Sequence, residues 1–229
     1  MRAARDMFDR DDNRNLNKLT SLLPSWLDHV LASSAPPAWG FAMIRCNFSN
    51  DNRWKEYRDA VDRAVNAALI SKASMGRMES ALAKFLMLYT DDPSVVRDEG
   101  GPSLRGLRQK FVDLKSSPVW TPGLRHDMFL YADSAALESI STDRPFCWAV
   151  EAEPDADDPT EPEAQALKVA LIQVAPTLYA RLLQKELPDP RDPKRSRWTP
   201  YNGPPTLRNL RSQVGRSRDG VWPPPHQFN

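Results

Sequence analysis

Two cysteines and three histidines (His29, His126 and His226) are all that 229 residues carry of thiol and imidazole chemistry. Two cysteines cannot build a framework of bridges, and these few histidines do not complete a zinc site with them. No window approaches about 18 consecutive apolar residues, so no membrane-spanning helix is expected. Charge of one sign is also missing. The 31 Lys and Arg against 30 Asp and Glu leave a net charge of +1, and no global field steers the chain toward nucleic acid or an anionic membrane. There is no Walker loop, no G-x-G-x-x-G, no G-x-S-x-G and no H-E-x-x-H, which removes the commonest nucleotide-binding, hydrolase and protease readings. Residues 1–15 alternate arginine and aspartate where a secretory leader would need an apolar stretch. The expectation is an intracellular, cytoplasmic protein of a reducing compartment, with no cofactor and no metal.

What is present begins with one unit, WGFAMIRCNFSNDNRWKEYRDAVDRAVNAALI, at residues 39–70. Residues 41–48 form an apolar run with Arg45 embedded in it. A Ser/Asn/Asp cluster follows, and then a helical stripe of Trp54, Val61, Ala64, Val65 and Ala68. This pattern predicts a strand, a helix N-cap and an amphipathic helix, the opening of a layered α+β domain.

Organisation along the chain divides into three parts. Residues 1–38 are a polar segment followed by short helices, the second capped by Ser21 or begun at Pro24. Residues 39–186 are the α+β core. Within it, strands are expected at 84–89, 127–132, 146–151 and 166–172, and a helix capped by Ser103 with Leu104, Leu107, Phe111 and Leu114 inward. Asp133 and Ser134 cap a short helix. Residues 151–163 hold seven acids and three prolines and read as a solvated loop. A single helix over 166–183 would place Pro176 in its interior at a cost of about 3 kcal/mol. A strand followed by a helix with Pro176 in its first turn removes that conflict. Residues 187–229 carry nine of the 21 prolines and eight basic residues, a pattern for an extended tail or a surface-wrapping arm. Its apolar anchors, Trp198 and Trp222 among them, predict docking on the core.

In this order the elements resemble a group of small, functionally uncharacterised fungal proteins. The resemblance lies in a G-F-x-x-x-R strand followed by an aspartate and a tryptophan (Gly40, Phe41, Arg45, Asp51, Trp54) and in the segments FLMLYTDDPSVV, LRGLRQKF and FLYADSAALESI. It continues in a strand, acidic loop and strand running from FCWAV to VAPTLYARLL, and so spans residues 39–183. The chain departs from the pattern at EGGPS, which is longer, and at ALKV, which lacks a preceding Gly-Trp. The resemblance supports the strand assignments at 84–89 and 166–172 and implies a fold, with no activity attached. The fold expected is α+β, a mainly antiparallel sheet of four or five strands with helices on one face, ferredoxin-like in its repeated strand–helix units. Two-fold association through the open sheet face is the alternative arrangement.

Strand alternation allows Arg45, Tyr131, Asp133 and Glu151 to be placed on the open face as one polar cluster. Arg45 would then anchor a small anionic or polar ligand, with a carboxylate as base. The competing reading is a structural Arg–carboxylate pair. His126, between Arg125 and Asp127, is either a proton shuttle or a surface histidine. Cys46 and Cys147 fall on opposite faces and read as buried apolar residues. Asp91 and Asp92 read as a capped turn, since no D-x-D-x-D-G loop surrounds them. In the arm, Arg191, Lys194, Arg195 and Arg197 lie with Trp198 and Tyr201, a combination that can grip single strands. The acidic loop offers an opposite charge in the same chain or in a second copy, so a protein partner or self-association is expected rather than nucleic acid. Function is accordingly expected to be non-catalytic binding or protein interaction. The alternative is a cofactor-independent lyase or isomerase acting on a small polar molecule.

Overall fold

The computed structural model describes residues 24–70, 75–93, 103–154, 164–183, 188–189, 192–196, 206–214 and 218–224. In chain order these form α1 (Pro24–Leu31), β1 (Trp39–Arg45), α2 (Asp51–Ile70), α3 (Met75–Lys84), β2 (Phe85–Thr90), α4 (Leu104–Lys115) and β3 (Met128–Ala132). They continue with α5 (Ser134–Ser139), β4 (Phe146–Glu151), β5 (Ala166–Ala170), α6 (Leu171–Gln173), a π-helical stretch (Val174–Leu178) and α7 (Tyr179–Leu183). The last elements are β6 (Pro188–Asp189), β7 (Asp192–Ser196), α8 (Leu207–Val214) and β8 (Val221–Trp222).

Every residue of β1 is buried. A strand apolar on both faces belongs in the middle of a covered, parallel arrangement, and β1 pairs in parallel with β2 on one side and β3 on the other. The six-stranded sheet runs β2-β1-β3-β4-β5-β8, with β4 antiparallel to both its neighbours and β8 parallel to β5. Five strands therefore point one way and β4 alone points the other. This corrects the expected mainly antiparallel sheet of four or five strands, and the strand order lends no support to a ferredoxin-like repeat.

Helices lie on both faces, where one covered face was expected. The chain crosses from β1 to β2 and then back over β1 to β3; two crossovers of the same hand in opposite directions must fall on opposite faces. On one face α2, α7 and α8 bury Trp39, Phe41, Met43, Leu130, Cys147, Ala149, Leu167 and Val169. On the other, Leu104, Leu107, Phe111 and Leu114 of α4 cover Ala42, Ile44, Cys46, Phe129 and Tyr131.

Several local expectations hold. α1 starts at Pro24, Ser103 accepts a hydrogen bond from the Gly106 amide as N-cap of α4, and Asp133 caps α5. Residues 75–90 contain both a helix and a strand, α3 giving way to β2 at Phe85. The strand expected over 166–172 ends at Ala170 and residues 171–173 are already helical; Pro176 breaks that helical segment rather than following a strand, and Ala175 before it is extended at φ −132°, ψ 135°, as the residue preceding proline prefers. The C-terminal arm is more deeply built in than an appendage. Leu207, Leu210, Val221 and Trp222 are buried in the core of α2 and α7, and Trp222 Nε1 donates to Gln213 Oε1 at 3.1 Å. The polar segment 1–23, most of the acidic loop (155–163), Trp198 and Tyr201 lie outside the described residues.

Candidate functional site

At the carboxyl end of β1, Arg45 turns toward α2 and is almost wholly buried. Its Nε donates to the Asn47 carbonyl at 2.8 Å and Nη2 to Asp51 Oδ1 at 2.6 Å. The guanidinium carbon lies 4.5 Å from the Phe48 ring centre and 5.5 Å from that of Trp54. Arg45 thus ties the β1–α2 turn to the first turn of α2, where the Asp51 carboxylate also complements the helix dipole. A bidentate grip on a ligand would have to break these bonds.

The other members of the expected cluster go elsewhere. Asp133 Oδ1 accepts the Ala136 amide at 2.9 Å. Tyr131 lies on the opposite face from Arg45, under α4, stacked on Trp148 at 5.8 Å and 7°. Burial, reinforced by the nearby Asp133 and Cys46 charges, pushes its phenol well above the usual range. Glu151 is at the far end of the sheet, because antiparallel pairing sets it opposite Met128, the first residue of β3. Four residues at ~3.3 Å each separate that position from the carboxyl end of β3, and the Glu151 carboxylate accepts the Leu207 amide of α8 at 3.4 Å. Arg45, Tyr131, Asp133 and Glu151 share no pocket. Tyr131 is set apart by its face, because parallel pairing puts it opposite Ile44 rather than Arg45, which corrects the expectation of one shared open face; Glu151 is set apart by the direction of β4, which alternation does not reveal.

Cys46 and Cys147 are buried, unbridged and on opposite faces, as expected. Burial raises both thiols far above their ordinary pKa; the Asp133 carboxylate adds to the effect at Cys46, and a hydrogen bond to the Ala132 backbone opposes it. Neither is poised as a nucleophile. Asp92 is ion-paired with Lys110. Among the described residues no group of three or more His, Cys, Asp or Glu could hold a metal ion.

The amino end of the sheet is different. A cavity of about 260 Å³ opens between α1, residues 36–39, residues 123–126 and α7. Its lining includes His29, Trp39, Arg125, His126 and Tyr179. The 123–126 loop is held to β1 by the Arg125 amide, which donates to the Gly40 carbonyl at 2.9 Å. Gly123 makes the approach possible: it has φ +99°, and a Cβ there would fall 2.0 Å from the Ala38 oxygen. Trp39 and Tyr179 meet edge to face at 4.8 Å. Arg125 is buried and bonds Asp127 through two nitrogens, Nε–Oδ1 2.9 Å and Nη2–Oδ2 2.5 Å. Burial raises the Asp127 carboxyl, but the Arg125 hydrogen bond and charge outweigh it and hold the group below the usual carboxylate range. Two lysines stand behind the cavity wall, Lys84 donating to the Val30 carbonyl at 3.2 Å and Lys115 to the His126 carbonyl at 3.3 Å.

Of the residues singled out from sequence, only His126 reaches this cavity, and its imidazole is exposed. His29 and Arg125 were missed as partners. Their adjacency depends on the parallel pairing of β1 and β3, which brings the amino ends of two distant strands together; the exposed histidine in the last turn of α1 gave no local sign of it. Among known protein families, curated proteins and solved structures, none matches this chain. No helix among the described residues is long and apolar enough to cross a membrane.

Proposed function

We propose that this chain is a non-catalytic binding or protein-interaction module, grouped with the fungal proteins whose element order it resembles. The observation that supports this reading is the engagement of its candidate catalytic groups. Arg45 holds a turn, Asp133 caps a helix, Glu151 receives an amide of α8, and both thiols are buried with raised pKa. General acid–base or nucleophilic catalysis needs a group that can exchange partners with substrate, and these groups hold the fold instead. The lyase or isomerase alternative loses its shared pocket. The partner surfaces are the acidic loop 151–163 and the basic, aromatic stretch 191–201, and two buried thiols suit an intracellular, cytoplasmic setting.

Affinity capture with crosslinking mass spectrometry tests this. The full chain is compared with one variant in which Asp155, Asp157, Asp158, Glu161 and Glu163 become Asn or Gln, and with a Trp198→Ala, Tyr201→Ala variant. A stoichiometric protein, or a second copy, crosslinked to the wild type and lost from either variant is expected. Identical crosslinked sets from all three would overturn the reading.

A further inference from the structure

The two edges of the six-stranded sheet are built differently. β8, at one end, is two residues long and is followed by Pro223. The Val221 amide donates to Asp219 Oδ1 at 3.1 Å and the Val221 carbonyl accepts from Arg144 Nη2 at 3.2 Å, so that edge is short and side chains satisfy its first residue. β2, at the other end, runs for six residues, FLMLYT, with neither a charge nor a proline. Its register with β1 is unbroken from Phe85 to Thr90. Shortness, charge, proline and bulges, the devices by which natural proteins blunt an edge, are all missing along it.

Gly40 shows which backbone groups of β2 face outward. A Cβ on Gly40 would fall 2.1 Å from the Leu86 oxygen, so the Leu86 carbonyl points at β1. By alternation along the strand, the backbone groups of Phe85, Met87 and Tyr89 then point away from it. Among the described residues, none gives those outward groups a backbone hydrogen bond. We propose that β2 pairs antiparallel with β2 of a second copy, about a two-fold axis at Met87, joining the two sheets into one. This edge lies apart from the acidic and basic segments and goes beyond the interaction reading built on them.

Three observations favour a second copy as the occupant. The first is self-complementarity. A two-fold axis normal to the sheet matches each face with itself, so a pair centred on Met87 sets Phe85 against Tyr89 of the second copy and Leu86 against its Leu88. Cross-strand contacts are then apolar or aromatic throughout, and the outward groups of Phe85, Met87 and Tyr89 meet as hydrogen-bonded pairs. The second is charge. Lys84 precedes the strand and Asp91 follows it; antiparallel pairing brings the Lys84 end of each strand beside the Asp91 end of the other, where parallel pairing would set like charges together. The third is closure. With the β8 edge blunted, the sheet has one open edge, and pairing through it ends at two copies rather than in an open chain.

Sedimentation of the full chain over a concentration series, with amide hydrogen exchange at both ends of the series, tests this. A monomer–dimer equilibrium is expected, with exchange at Phe85, Met87 and Tyr89 slowed in the dimer and exchange at Val221 unchanged. Leu86→Lys and Leu88→Asp, both at half-buried positions, are each expected to weaken self-association by at least about tenfold. An equimolar mixture of the two variants is expected to dimerise more tightly than either alone, because the introduced charges then face each other. Recovery on mixing is an outcome that damage to the fold would not produce. A chain that stays monomeric would overturn the inference and leave the edge to a strand of another protein. A dimer unchanged by both variants would overturn β2 as its seat, and two folded variants that fail to recover on mixing would overturn the antiparallel pairing. The reading as an interaction module is decided separately, by crosslinked capture with the loop and arm variants.

Discussion

Asp133 and Arg45 stand near each other in sequence logic yet hold the chain in different ways, and their substitutions should differ accordingly. Asp133 satisfies an amide that the first turn of α5 otherwise leaves open. Asp133→Ala should cost about 1 kcal/mol in urea unfolding, and Asp133→Asn much less, because asparagine caps nearly as well. A catalytic carboxylate would show the reverse insensitivity, tolerating Ala in stability. Arg45 and Asp51 form an asymmetric pair, with side chains 6% and 87% exposed. The exposed partner contributes little, so Asp51→Ala should cost below about 1 kcal/mol. Arg45→Ala should cost more, roughly 2 kcal/mol, since it also removes the bond to the Asn47 carbonyl and the packing on Phe48 and Trp54. Equal losses from the two substitutions, measured as denaturation midpoints at a common slope, would contradict the packing account.

At the scale of elements, β1 and β2 approach each other closely at a glycine. Gly40 has φ +141°, and a Cβ there would sit 2.1 Å from the Leu86 carbonyl oxygen. Gly40→Ala should therefore destabilise by about 3 kcal/mol or more, whereas Gly76→Ala, with open space around it in α3, should stabilise by up to about 1 kcal/mol. Calorimetry of the two variants checks both signs together. The elements legible in sequence were those with local chemistry. Ser103 and Asp133 announce helix starts, Pro176 breaks the helical segment after β5, and the Ser/Asn/Asp cluster announces α2, although β1 stops at Arg45 rather than running on to residue 48. Pairing was not legible, because parallel strands are joined by crossovers rather than by turns with a residue signature. Alternation within each strand did not fix the register between strands, so Arg45 and Tyr131 were expected on one face and lie on two; nor did it show that β4 runs against β3 and carries Glu151 away. The cavity was hidden for the same reason, its lining coming from four segments distant in sequence, of which only His126 had been marked. α8 and β8 were masked by the proline and arginine content of their surroundings, although Leu207, Leu210 and Trp222 were visible as anchors.

Over the whole molecule, one core reaches from α1 through the sheet to the C-terminal arm. Val30, Trp39, Val65, Tyr179, Leu210 and Trp222 belong to it together. Trp222→Ala should then cost about 3–5 kcal/mol, as deletion of a buried tryptophan does, and lower the melting temperature of the entire chain in one transition. An unchanged melting temperature would show the arm to be separate from the fold. The same continuity bears on the proposed function: Arg45, Asp133 and Glu151 are engaged in holding this fold, which is what the non-catalytic reading rests on. Metabolite profiling tests that claim most directly, by incubating the purified full chain with a small-molecule extract and following both retention and conversion. The account predicts that no compound is consumed over many turnovers, whether or not one is retained. Multiple-turnover loss of any metabolite, abolished by Asp133→Asn or Arg45→Gln in a folded variant, would contradict it.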